Sequence, residues 1–177
     1  MELRIHDKTF TSWIDRDEIA ATVKELAVKI RADYPNQRLL LICVMKGSLV
    51  FFSDLMRSLD GEMEMAFISA SSYQGTHSSG IVQVHARSEL GLKGRHCLLI
   101  EDIVDTGLTI QALEELLWKE EPACLDIATL LFKPEAFKGN KRPKFIGKEI
   151  PDRFVVGYGM DYNELGRNLP DIYQLKL

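Results

Sequence analysis

Three carboxylates crowd one short stretch of the chain. In LLIEDIVDTGLTI (residues 98–110) Glu101 and Asp102 are adjacent, Asp105 follows, and Thr106-Gly107-Leu108-Thr109 reads as a turn entering a helix. A helix start gathers unpaired N–H groups and attracts anions. Glycine lets the backbone approach a ligand closely, and the two threonine hydroxyls add donors, so the turn suits a phosphate. It is not a Walker A loop, because G-x-x-x-x-G-K-[ST] is absent. Plainer readings stand beside this one: Glu101-Asp102 also fits a solvated strand edge, and Asp105 a helix N-cap.

The elements that must position these residues follow from hydrophobic period. From Asp15 to about Ala32, Ile19, Val23, Leu26, Ala27 and Ile30 recur at helical spacing, with Asp15 or Asp17 able to cap the start. RLLLICVM (38–45) is a continuous apolar run of the kind covered on both faces of a sheet. Lys46-Gly47-Ser48 turns it into a second helix, SLVFFSDLMRSL. EMEMAFISASS (62–72) and IVQVHA (81–86) read as strands, joined through the Gly/Ser-rich SYQGTHSSG. RHCLLIEDIV (95–104) is a further buried strand, TIQALEELLWKEE a helix, and ACLDIATLLFK (123–133) the last core strand.

After Lys133 the texture changes. PEAFKGNKRPKFIGKEIPDR shows neither helical nor strand period and reads as a long connection, followed by the short apolar runs FVVGY (154–158) and IYQLKL (172–177). Alternating strands and helices imply an α/β fold, a central parallel sheet flanked by helices. We expect a single domain over 1–177, with its core at about 15–133. A small irregular hood lobe at about 134–177, joined by the N-terminal segment, covers it. Ligands of such sheets bind outside the carboxyl ends of the strands. Lys46, the Glu101–Thr109 stretch and Lys133 all fall at such ends.

Composition narrows the classes. With 177 residues, 46% of them hydrophobic and 27% charged, the chain can build one substantial core. A formal charge of -4 argues against a dedicated nucleic-acid binder. MELRIHDKTF has no signal-peptide character and no apolar run approaches membrane-span length, so a cytoplasmic protein is expected. Cys43, Cys97 and Cys124 lack ligand spacing and read as reduced core residues. His6, His77, His85 and His96 form no metal motif either.

LLIEDIVDTGLT resembles the binding motif for phosphoribosyl pyrophosphate in type I phosphoribosyltransferases. The resemblance spans nearly the whole chain, because Lys46-Gly47, Ser72-Tyr73, Lys133, FVVGYGMDYNE (154–164) and Arg167 are similar, in the same order, to features of hypoxanthine-guanine phosphoribosyltransferases. It implies that Glu101 and Asp102 hold the donor's ribose hydroxyls, directly and through Mg2+. Thr106, Gly107, Leu108 and Thr109 would wrap the 5′-phosphate; leucine at 108 stands where some relatives carry lysine. Asp105 would accept the proton at purine N7, and Lys133 would donate to the purine O6. Phe154 would stack on the base, with Val155 offering backbone groups to its edge. Asp161 would contact a second magnesium, while Lys46, Gly47 and Arg167 would bind pyrophosphate in a loop where a non-proline cis peptide is common. Ser72 and Tyr73 would open a flexible lid.

The implied activity is purine salvage: transfer of phosphoribosyl to hypoxanthine, and to guanine, in a homodimer or homotetramer. A xanthine-preferring relative and a non-catalytic regulator of the same fold that binds nucleic acid are the rivals. By residue chemistry alone, Lys46 is also an ordinary solvated lysine and Phe154 a core aromatic. The basic run Lys138, Lys141, Arg142, Lys144 and Lys148 reads as a solvated face, with a subunit contact or RNA patch as the alternatives.

Overall fold

Leu39–Met45 is apolar at every position and forms a strand whose first six residues are buried. In the computed structural model, which describes residues 1–72, 82–85 and 90–176, it lies at the centre of the molecule. Tyr73 and most of the expected lid lie outside the described residues. The elements in chain order are β1 (Glu2–Ile5), β2 (Lys8–Ile14), α1 (Arg16–Asp33), β3 (Leu39–Met45), α2 (Leu49–Ser58), β4 (Met63–Ser72) and β5 (Val82–His85). After these come β6 (His96–Val104), α3 (Leu108–Leu117), a 3-10 turn (Trp118–Glu120), β7 (Cys124–Phe132), β8 (Phe145–Glu149), β9 (Val155–Val156) and β10 (Ile172–Leu175).

Six strands form the main sheet in the order β5-β4-β3-β6-β7-β8; β4, β3, β6, β7 and β8 are parallel, and β5 runs antiparallel to β4. Successive side chains of a strand point to opposite faces. Leu39, Leu41 and Cys43 accordingly share a buried cluster with Ile19, Val23 and Leu26 of α1 and Phe51 and Leu55 of α2. Leu40, Ile42 and Val44 share the other with Ile110, Leu113 and Leu117 of α3. Burial on both faces explains why these strands read as unbroken apolar runs. Asp15 caps α1, its Oδ1 accepting from the N–H groups of Asp17 at 3.0 Å and Glu18 at 2.8 Å. Cys43 and Cys97 are buried, Cys124 is partly buried, and all three are free thiols.

The stretch after Lys133 departs from the sequence reading. FIGKE forms β8 and extends the main sheet, with Ala128↔Phe145 and Leu131↔Lys148 in register. Of this short edge strand only Phe145 is buried, so its sequence carries little period; its order comes from β7. The basic run beside it is drawn into ion pairs. Lys144 meets Asp126 at 2.7 Å and Asp33 at 3.2 Å, Lys148 pairs with Glu18, and Arg142 with Glu149.

The remaining strands form a small antiparallel sheet, β1-β2-β10-β9. Tyr173 sits opposite Ser12 on one side and Val156 on the other, so the two ends of the chain meet. Ile5, Phe10, Val156 and Tyr173 make its core. The small lobe is thus ordered by pairing between segments more than 150 residues apart, as the Arg16–Asp171 contact also shows.

Candidate active site

The parallel strand order reverses between β3 and β6: from β3 the chain steps to β4 on one side, and β6 lies on the other. At such a switch point the loops leaving the carboxyl ends diverge and open a crevice. Lys46-Gly47 follows β3, the acidic stretch closes β6, and the Met45–Lys46 peptide is cis. The loop after β3 touches the end of β6. A Cβ on Gly47 would stand 2.1 Å from Asp102 Oδ2, and a Cβ on Gly159 (φ +100) would stand 2.0 Å from the Gly47 carbonyl oxygen. Glycine is therefore required at 47 for contact with the acid and at 159 for contact with the loop.

Asp102 is buried and accepts from the Ile103 N–H at 2.9 Å. Burial pushes its pKa up to about 6, against the opposing pull of that N–H and of the Arg167 charge. Glu101 is raised well above the usual carboxylate value by burial and by the charge of Asp102. These are acids whose ionised forms the folded protein leaves poorly compensated.

The turn after β6 has the form expected of an anion cradle. Gly107, at φ +84, is the N-cap residue of α3, and the side chain that accepts from the first helical N–H, that of Leu108, is Thr106 Oγ1 at 3.5 Å. Asp105 therefore does not act as the cap. Phe137 packs beneath the turn so closely that a Cβ on Gly107 would lie 2.5 Å from its ring, and Lys138 N–H donates to the Thr106 carbonyl at 3.0 Å. Leu108 is 47% exposed, so its side chain adds little to the core.

Lys133 brings the ends of β6 and β7 together. Its Nζ donates to Asp105 Oδ2 at 2.7 Å and to Asp152 Oδ1 at 3.0 Å. Burial alone would lower the lysine pKa, but the two carboxylates outweigh it and hold it above the usual value. Nearby, Phe154 is 43% exposed, so it is not a core aromatic. Its ring meets Tyr162 edge-on at 5.7 Å and Phe10 at 6.1 Å. Val155 is buried in β9 opposite Gln174.

At the other end, Lys46 Nζ lies 3.1 Å from Glu164 Oε1. Arg167 Nη2 lies 2.7 Å from Asp161 Oδ1, and Nη1 donates to the Gly159 carbonyl at 2.9 Å. Arg167 Nε is buried without a hydrogen-bond partner among the described residues. Asp161 is engaged by Arg167, and among the described residues no three metal-ligating side chains form one group with Glu101 and Asp102. Ser72 is the last residue of β4, opposite Val82. Asp152, Glu164 and Phe137 carry no recognisable signal in the sequence, although Glu164 ends the quoted FVVGYGMDYNE.

A sheet that opens at its switch point beside a helix-start anion cradle is the frame of a phosphoribosyl transferase domain. The sequence signature of that family matches residues 14–163, and the chain belongs to it. Within the family it is similar to the hypoxanthine-guanine phosphoribosyltransferases of Staphylococcus aureus (41% identical over 173 residues, 97% of each chain) and Staphylococcus epidermidis (41% over 164 residues, 92% of each). The solved hypoxanthine-guanine phosphoribosyltransferase of Bacillus anthracis superposes with a TM-score of 0.87 at 36% identity, covering 94% of this chain and 97% of that one. The hypoxanthine phosphoribosyl transferase of Trypanosoma cruzi gives 0.87 at 34% identity, covering 98% and 95%. Among the described residues no helix is long and apolar enough to cross a membrane.

Proposed function

We propose that this enzyme serves purine salvage, transferring the 5-phosphoribosyl group of phosphoribosyl pyrophosphate to hypoxanthine, and to guanine, with release of pyrophosphate. One observation carries the reading beyond the family: the buried Lys133 ammonium and the Asp105 carboxylate stand 2.7 Å apart at neighbouring strand ends. That places a donor beside an acceptor, the complement of the O6 and N7–H edge of a 6-oxopurine. Adenine would set its 6-amino group against a second donor and be disfavoured.

Each group then has a task. Thr106, Gly107, Leu108 and Thr109 hold the 5′-phosphate through N–H groups and hydroxyls at the start of α3. Glu101 and Asp102 accept from the ribose hydroxyls. Phe154, exposed on one side, stacks on the purine, and Val155 presents its backbone. The C1′–O bond to pyrophosphate breaks with its electron pair leaving on pyrophosphate, the base nitrogen N9 forms the new bond to C1′, and the N7 proton passes to Asp105. Lys46 and Arg167 stabilise the departing polyanion, while the carboxylates favour the cationic sugar between.

The residues fit Mg2+. Two adjacent, poorly compensated carboxylates suit a hard cation that keeps several waters and takes its other oxygens from substrate phosphates. Glu101 and Asp102 would hold one ion, and Asp161 would face a second through water. When bound, magnesium supplies charge neutralisation on the pyrophosphate. A cytoplasmic homodimer or homotetramer completes the reading. Exposed Leu49, Met65 and Phe67 support it, as apolar surface of the kind a subunit contact covers.

The test is direct. The protein is incubated with phosphoribosyl pyrophosphate, Mg2+ and, separately, hypoxanthine, guanine, xanthine, adenine and uracil, and nucleotide formation is followed. Turnover with hypoxanthine and guanine is expected; no turnover with any 6-oxopurine overturns the proposal.

A further inference from the structure

The Lys133 side chain is 6% exposed, and its ammonium meets two carboxylates, Asp105 and Asp152. A lysine ammonium has three donors. Two are engaged by these acids, and the third is available to a ligand. A buried charge needs a partner throughout. In the transfer reaction proposed above Asp105 turns from Lys133 to the base, and Asp152 is then the carboxylate that stays.

The position of Asp152 gives that contact reach. It follows β8 on the segment that leads to Phe154 and Val155, and the Ile150 N–H donates to the Phe132 carbonyl at 2.8 Å. Lys133 ends β7, and its own N–H donates to the Val104 carbonyl of β6 at 3.0 Å. A single ammonium thus ties together the segments that would bear the proton acceptor, the O6 donor and the stacking ring. Asp152 itself is 60% exposed and meets Lys133 through a single carboxylate oxygen at 3.0 Å.

We infer that Asp152 is a positioning residue for purine selection, holding Lys133 by one donor so that another is aimed at the 6-oxo group of the base. The inference rests on the proposed transfer reaction. It deepens that reading by assigning base selection to a carboxylate outside the recognised motifs.

The experiment compares the full-length protein with Asp152→Asn and Asp152→Glu, alone and in a Lys133→Ala background. It measures kcat and KM for hypoxanthine and guanine, phosphoribosyl pyrophosphate binding without base, and the thermal midpoint. Asp152→Asn is expected to raise the KM for both bases about tenfold, the scale of one hydrogen bond to a charged group. Its kcat and donor binding stay within about threefold of wild type, an effect below about 0.7 kcal/mol. Asp152→Glu restores most of the base affinity, and in Lys133→Ala the Asp152→Asn change adds nothing. An unchanged base KM in Asp152→Asn overturns the inference alone. So do parallel losses in base KM, donor binding and thermal midpoint, which a merely structural ion pair would give. Absence of 6-oxopurine turnover in the wild type overturns the transfer reading and this inference with it.

Discussion

Asp102 rests against the α-carbon of Gly47, so close that a Cβ there would stand 2.1 Å from its Oδ2. The loop after β3 is thereby packed against the carboxyl end of β6 across the switch point. Gly47→Ala forces the buried carboxylate aside, and overpacking of this kind costs about 1–3 kcal/mol. We expect a denaturant midpoint lowered accordingly and turnover reduced at least about tenfold, since Asp102 would no longer face the ribose. Kinetics close to wild type would show that Asp102 needs no fixed position.

Asp105 bonds Lys133 while Gly107 occupies the N-cap position of α3. Asp105→Asn should therefore leave the helix and the donor cradle intact. Turnover should fall by about 10²–10⁴, the range for loss of a positioned proton acceptor. Calorimetric binding of phosphoribosyl pyrophosphate is the control. Equal losses in binding and turnover would return Asp105 to a structural role.

The acid at 102 also sets a pH dependence. Its pKa rises from 3.8 to about 6 on folding, so the native protein holds this proton more tightly than the unfolded chain. Its contribution to stability is fully present below pH 3.8 and is lost as pH rises through about 6. Two pKa units correspond to about 3 kcal/mol at most. Asp102→Asn has no proton to lose. Relative to wild type it should gain stability between about pH 4 and pH 6, while turnover collapses. A stability difference that is flat across this range in chemical denaturation would refute the assignment.

Glu164 holds the Lys46 ammonium, and that ammonium in turn keeps the Glu164 carboxyl below its usual value. A pyrophosphate group arriving at Lys46 must displace it. Glu164→Gln should lower the KM for phosphoribosyl pyrophosphate by up to about threefold at low salt, the modest scale of an exposed ion pair. The advantage should fade as salt is added. A higher KM would mean that Glu164 helps to bind the donor.

Much of the architecture was legible from local pattern. Leu39–Met45 and the first half of β6, Cys97 to Ile100, are covered on both faces, so apolar runs announced them, and Asp15 announced the start of α1. The turn into α3 was legible because its parts are consecutive: a strand end, a glycine and a helix start need no distant partner. Strand β8 was not, since Phe145 is its only buried residue and β7 supplies its pairing. The hood was read as irregular because its strands are short and find each other across the length of the chain.

By itself, then, the sequence determined the alternation of strands and helices, the glycine turn into α3 at 106–109 and, through its ordered motifs, the family. Tertiary structure alone decided which charges meet. Lys133 reaches Asp105 over a separation of 28 residues and Asp152 over 19, and Lys46 reaches Glu164 over 118. Period and propensity act along a few consecutive residues and are written in local order. Strand order and the closure of one sheet over another set the distances between remote side chains, and those distances decide which ammonium is paired, which acid is buried and where a base can be read.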